Sequence, residues 1–186
     1  MKSFSGRFLL AAGLVLGTAM FTGMEVSAMN DSFKLQSSAY QNDAAIPSRF
    51  TCSGKNVSPP LHWSGAPAGT KSFAFIMDDP DAPDPAAPKM TWVHWVLYDI
   101  PPGVHEFAEG ASRHLPTGIR SGENDWQRHD YGGPCPPIGR HRYFHKLYAL
   151  DTVLPDLHHP TKAQLEAAMK GHILAQATLV GTYEKP

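Results

Sequence analysis

The chain of 186 residues carries 16 basic and 17 acidic side chains, with 42% hydrophobic residues and 10% aromatics. That much apolar surface offsets ordering entropy and excludes an intrinsically disordered chain. A formal net charge of −1 without long runs of either sign leaves no broad electrostatic footprint for nucleic acid or anionic lipid, so any charged partner must be held locally.

The first feature along the chain is a leader. Lys2 and Arg7 flank the start of an apolar run from Phe8 to Phe21, and Val26-Ser27-Ala28 has the small-residue pattern of a signal peptidase site. The run is shorter than the roughly 20 residues a membrane-spanning helix needs, and no second run replaces it. The expectation is a cleaved signal peptide over residues 1–28 and a single domain over residues 29–186, periplasmic or secreted, with no integral membrane segment after cleavage. Were Met29 the true start, the protein would be cytoplasmic. Cys52 and Cys135 both survive cleavage. In an oxidising compartment they can close one disulfide, worth about 4 kcal/mol in the chain-entropy model. Two small buried thiols are the alternative, and a pair of cysteines by itself leaves both open.

Strand signals dominate the mature chain. Ser72 to Met77 is a short apolar run, stopped in this reading by Asp78-Asp79-Pro80, as expected of a strand buried on both faces. Trp92 to Ile100 is rich in β-branched and aromatic residues and ends at Pro101-Pro102-Gly103. Arg142 to Leu150 gives a third strand. Leu174 to Tyr183 gives a fourth, with Ala175, Ala177, Leu179 and Tyr183 on one face. One helix is signalled, by the capping-box pattern Thr161-Lys162-Ala163-Gln164 behind Pro160, with Leu165, Ala168 and Met169 at helical spacing before Gly171. Residues 101–141 form a long connection with little periodicity, and connections of that length in compact domains usually serve function. The fold class is mainly β, with a late helix.

Three polar clusters fall at strand ends: Asp78 to Pro83, His94, and His141-Arg142-Tyr143. If the first two strands are an antiparallel pair, the exit of one lies beside the entrance of the other, so Asp79 and His94 share an edge. His141 joins them if its strand runs in the same sense as the second. That gathers a carboxylate, two imidazoles and a phenol at one rim, with backbone N–H groups of residues 131–139 nearby. Imidazole and phenol donors suit phosphoryl or carboxylate oxygens, and a carboxylate fixes a histidine tautomer. Singly, each residue also has a purely architectural explanation: a turn for Asp-Pro-Asp-Ala-Pro, a hydrogen-bonded core histidine for His94, a core aromatic for Tyr143. Their joint placement carries the functional reading. The ten histidines invite a metal site, but His141 and His145 lie about 13 Å apart along a strand, too far for shared coordination. His158-His159 reads as surface, and Asn56-Val57-Ser58 reads as turn chemistry before Pro59-Pro60 rather than as a glycosylation acceptor. No zincin, nucleophile-elbow, P-loop or dinucleotide motif is present, so neither metal nor cofactor is expected.

Several ordered blocks resemble a known family: Thr51-Cys52-Ser53-Gly54-Lys55-Asn56-Val57-Ser58-Pro59-Pro60-Leu61-His62-Trp63, then Ala68 to Phe73, Asp79-Pro80-Asp81-Ala82-Pro83, His94-Trp95-Val96-Leu97-Tyr98, and Gly133-Pro134-Cys135-Pro136-Pro137 with His141-Arg142-Tyr143. Together they look like the phosphatidylethanolamine-binding protein family, also called the Raf kinase inhibitor protein family, and most like its bacterial branch. The resemblance implies a β-sandwich with few helices and a small anion pocket. By position it implies Asp79, His94, His141 and Tyr143 as ligand contacts, Trp92 and Pro137 as walls, and Asp81 as a support of the rim beside Arg142. It also implies a pocket for phosphate-like groups and phospholipid head groups, kinase or protease inhibition in some members, and frequent homodimers among bacterial ones. Val93 stands where animal members tend to carry a second histidine, and their extended C-terminal segment is lacking.

The leading reading is an exported, non-enzymatic binding protein for a small phosphorylated or otherwise anionic ligand. An inhibitor acting on a kinase or protease through residues 101–141 is the alternative. A phosphoester hydrolase using His94 and His141 ranks behind both, since no activated nucleophile is evident.

Overall fold

Side chains in the centre of the domain alternate between two apolar layers, and that alternation defines the architecture of the computed structural model, which describes Met1 and residues 33–186. The expected leader, apart from Met1, lies outside the described residues. In chain order the strands are β1 (Lys34–Gln36), β2 (Ala44–Ala45), β3 (Leu61–Ser64), β4 (Ser72–Ala82), β5 (Met90–Ile100), β6 (Glu106–Phe107), β7 (Arg120–Ser121), β8 (Arg140–Leu150) and β9 (Ile173–Glu184). The helix α1 (Lys162–Met169) lies between β8 and β9. A six-stranded sheet has the order β2-β9-β8-β4-β5-β7, and a three-stranded sheet the order β1-β3-β6.

Phe73, Phe75 and Met77 of β4, Trp95 and Leu97 of β5, and Tyr143 and Leu147 of β8 face the small sheet and meet Leu35, Leu61, Trp63 and Phe107 from it. Aromatic pairs lock this layer: Trp63 packs edge-on against Phe73 at 5.8 Å and Phe107 at 5.1 Å. The intervening residues Ala74, Ile76, Val96, Tyr98 and Tyr148 point the other way and are covered by Leu154, Leu165 and Met169. β4 is therefore buried on both faces, as its unbroken apolar run predicts. Ala177, Leu179 and Tyr183 of β9 share the inter-sheet face, with Ala175 packed beside them. The helix starts where the capping box places it. The Thr161 side chain accepts from the Gln164 amide, and the Gln164 side chain accepts from the Thr161 amide at 2.9 Å.

Three strand ends differ from expectation by two residues or more. β4 runs on through Asp78-Asp79-Pro80-Asp81 to Ala82, because each carboxylate finds a partner there and β5 continues to pair with it across irregular register. β5 and β8 each begin two residues earlier than expected. The short strands β1, β2, β3, β6 and β7 carry no sequence signal; strands this brief hold too few residues to show a period. β5 and β8 both pair antiparallel with β4, so they run in the same sense, the condition that brings His141 to the edge shared by Asp79 and His94.

Candidate functional site

At that edge a cavity of about 340 Å³ opens, and it is lined by the four residues expected to contact ligand, Asp79, His94, His141 and Tyr143, and by the two expected as walls, Trp92 and Pro137. Each arrives by strand register. Asp79 sits opposite Trp92 in the β4–β5 ladder, and β8 carries His141 and Tyr143 on one face by its two-residue period. The far wall comes from the 101–141 connection, which supplies Trp126, Cys135, Pro136 and Pro137.

Hydrogen bonds fix the protonation pattern. His94 is buried, and its Nδ1 lies 2.7 Å from the Gly132 carbonyl oxygen. A carbonyl only accepts, so Nδ1 carries the proton. Burial pushes the ionisation of this imidazole down to about 4, which leaves the ring neutral at pH 7 with a lone pair on Nε2. Nε2 has no hydrogen-bond partner among the described residues. His141 differs: Nε2 donates to the Ile138 carbonyl at 3.0 Å and Nδ1 meets Asp79 Oδ2 at 2.7 Å. His141 and Asp79 share one proton between Nδ1 and Oδ2, and whichever holds it, the pair is neutral overall. Burial pushes the Asp79 carboxyl above its ordinary range, and the bonds from His141 and from the Asp81 amide at 2.8 Å oppose that push. The Tyr143 hydroxyl and the Trp92 indole nitrogen are buried without a partner among the described residues. Burial also raises the Tyr143 ionisation, so the phenol keeps its proton.

The supporting residues stand behind this wall. Arg142 donates two bonds to Asp81, from Nε at 2.9 Å and from a terminal nitrogen at 2.7 Å, and its amide donates a third at 2.9 Å. That fork holds the Asp81 carboxyl below its ordinary range and fixes the end of β4, where the Asp81 amide binds Asp79. Cys52 and Cys135 are joined as a disulfide with Cα atoms 5.4 Å apart, the first of the two alternatives the sequence leaves open. The bridge pins the far wall to the body of the domain. Beside it the Tyr131 hydroxyl donates to the Phe50 carbonyl at 2.7 Å, and the Gly133 amide donates to Asn56 Oδ1 at 2.8 Å.

A family model for phosphatidylethanolamine-binding protein matches residues 36–184. The chain belongs to the phosphatidylethanolamine-binding protein family. A relative from Methanothermobacter thermautotrophicus, a UPF0098 protein, is 47% identical over 154 residues, covering 81% of this chain and 98% of the relative. One from Chlamydia muridarum is 43% identical and covers 82% and 99%. Among solved structures, the phosphatidylethanolamine-binding protein homologue CT736 of Chlamydia trachomatis superposes with a TM-score of 0.76 at 41% identity, covering 83% of this chain and 99% of that one. E. coli YbcL, described as a new member of the mammalian family, gives 0.75 at 32% identity with the same coverage.

Within this family frame, two expectations about the site need correction. His141 is not a free donor for ligand oxygens, because both ring nitrogens are spent on Asp79 and Ile138. The backbone donors of the 131–139 stretch are also partly spent: the Gly132 amide binds the His94 carbonyl and the Gly133 amide binds Asn56. Trp126 is an addition that sequence reasoning misses. Its ring packs edge-on against Trp92 at 5.4 Å and His94 at 5.1 Å, completing the aromatic wall. Gly132 makes room for it, since a Cβ there would lie 2.2 Å from the indole ring. The only sequence signal is a lone tryptophan in an otherwise polar loop behind Asn124-Asp125, a turn pair that here anchors Trp126 and Arg128 through the Asn124 side chain.

Proposed function

We propose that this member of the phosphatidylethanolamine-binding protein family is an exported, non-enzymatic binding protein whose cavity takes a small oxyanion head group of the phosphoryl type. The observation that carries the reading is the convergence of Asp79, His94, His141 and Tyr143, from three strands, on one open cavity that holds unpartnered polar atoms. Buried polar atoms without partners are rare, and a ligand that satisfies them recovers their desolvation cost. The cavity is of small-ligand size, and its wall is mostly apolar with few polar groups, the usual make-up of a recognition pocket. The leader pattern and the Cys52–Cys135 bridge support an oxidising compartment outside the cytoplasm.

Isothermal titration with phosphorylethanolamine tests the reading. Binding is expected to weaken at least tenfold in His94→Ala, about 1.4 kcal/mol, while near-ultraviolet circular dichroism stays unchanged. Equal affinity in the variant, or absence of binding to the parent, overturns it.

A further inference from the structure

The polar groups of the cavity with capacity to spare are two donors, the Tyr143 hydroxyl and the Trp92 indole N–H, and, on the acceptor side, chiefly one imidazole nitrogen. Nε2 of His94 offers a lone pair because Nδ1 donates to Gly132. Asp79 is a carboxyl whose Oδ2 already shares a proton with His141 and whose Oδ1 accepts from the Asp81 amide. Among the described residues, no lysine or arginine lines the cavity. Arg128 lies 5.6 Å from the Trp126 ring centre and pairs with Asp130, and Arg142 is occupied by Asp81. A dianion placed here would be desolvated with no counter-charge and would press an oxygen lone pair against that of Nε2.

The groups that face His94 come from every side. They are Asp79 from β4, His141 and Tyr143 from β8, and Trp126 with the Gly132 carbonyl from the far wall. His145, deeper in the same layer, and Asp78, on the opposite face of β4, act on it through space. Asp79 and Asp78 are the anionic groups among them, and the Asp79–His141 pair is neutral as a unit. Asp78 is held by Lys146 and Lys162 at 2.7 and 2.6 Å. A ligand therefore meets a wall of nearly zero net charge with Tyr143 as its phenolic donor and Nε2 as an acceptor that needs a proton.

We propose, on the basis of the oxyanion reading above, that the cavity binds its ligand as a protonated monoanion, a hydrogen phosphonate or phosphomonoester whose P–OH donates to Nε2 of His94, in preference to the dianion or to a diester. At a pH where the free ligand is mostly dianionic, binding takes up one proton from solvent onto a phosphoryl oxygen, and release returns it. One of the remaining oxygens accepts from the Tyr143 hydroxyl, and an organic arm lies along Met90 and Trp126, both of which line the cavity and keep substantial exposure.

Phenylphosphonic acid is the probe, because its ring suits that apolar wall. Calorimetry at a pH above its second ionisation, in two buffers of different protonation enthalpy, is expected to show uptake of about one proton per site. Affinity is expected to fall about tenfold per pH unit in that range. Monomethyl phenylphosphonate, a fixed monoanion without a P–OH, is expected to bind at least tenfold more weakly. In His94→Ala the residual binding is expected to lose the proton uptake, with circular dichroism confirming the fold. A buffer-independent heat with flat pH dependence overturns this inference and leaves the oxyanion reading standing. Equal affinity for the methyl ester also overturns it; if that binding takes up a proton, the proton resides on His94 instead. Failure of both phenylphosphonic acid and phosphorylethanolamine to bind at any pH overturns the two together.

Discussion

Asp78 and Asp79 are sequence neighbours in β4, both almost fully buried, and they lead opposite lives. Asp78 faces the helix side, where Lys146 from β8 and Lys162 from the first turn of α1 close on one of its oxygens. Asp79 faces the inter-sheet side, where it meets a histidine rather than a lysine and borders an open cavity. The first arrangement is a clamp: two full positive charges hold one carboxylate and tie the helix to the sheet, on the face that also carries the apolar cluster of Ile76, Leu165 and Met169. The second keeps its net charge near zero beside an open cavity; each side leaves a buried polar atom unpartnered among the described residues, Asp78 Oδ1 on the first and the Tyr143 hydroxyl on the second. The same residue type, one position apart, thus ties helix to sheet on one face and borders the proposed binding cavity on the other. What separates the two uses is the charge of the partner and whether the space beside it is filled.

Acid should attack the cavity side first and most strongly. His94 and His145 both lie on that side, and burial pushes each ionisation down to about 4 from an unfolded value of 6.5. The unfolded chain then binds more protons than the folded one as pH falls through 6.5. Stability is therefore intact above that pH and is lost progressively down to pH 4, by roughly 3 kcal/mol per histidine. Urea unfolding across pH 7 to 4 is expected to show this loss, and His145→Gln, which keeps a partner for Tyr40, to remove about half of it. An unchanged slope in that variant would clear the buried histidines of responsibility.

On the other side, Asp78→Ala leaves two lysines around an emptied site and is expected to cost about 3 kcal/mol of stability. The affinity for phenylphosphonic acid should change less than twofold, the reverse of the pattern expected for His94→Ala. A tenfold loss of affinity from Asp78→Ala would mean that the two faces are not separable. The smallest effect belongs to the helix cap. Thr161→Ala removes the capping hydrogen bond and should lower stability by about 1 kcal/mol, with binding untouched.

The central strands and the helix are legible in the sequence because their signals are local. An apolar run such as Ser72 to Met77 needs two covered faces, and Thr161 with Gln164 can satisfy a helix terminus without any distant partner. The candidate site is legible only as an expectation about strand ends, drawn from Asp79, His94 and His141 lying where antiparallel pairing would join them. The continuation of β4 past Asp78 is hidden, since three carboxylates within four residues look like a turn until lysines, a histidine and an arginine from other parts of the chain occupy them. Trp126 is hidden for a similar reason: nothing near it in sequence tells that Gly132 clears a place for its ring.

By itself, then, the order of residues determined which segments become the long strands, where helix α1 begins and which titratable side chains fall near strand ends, because periodicity and capping act within a few residues. Tertiary structure alone decided that His141 spends both nitrogens internally, that His94 keeps Nε2 free, and that Cys52 reaches Cys135. Those outcomes depend on carbonyls and thiols brought together from distant parts of the chain, and a hydrogen bond is assigned by a few tenths of an ångström that no local pattern encodes.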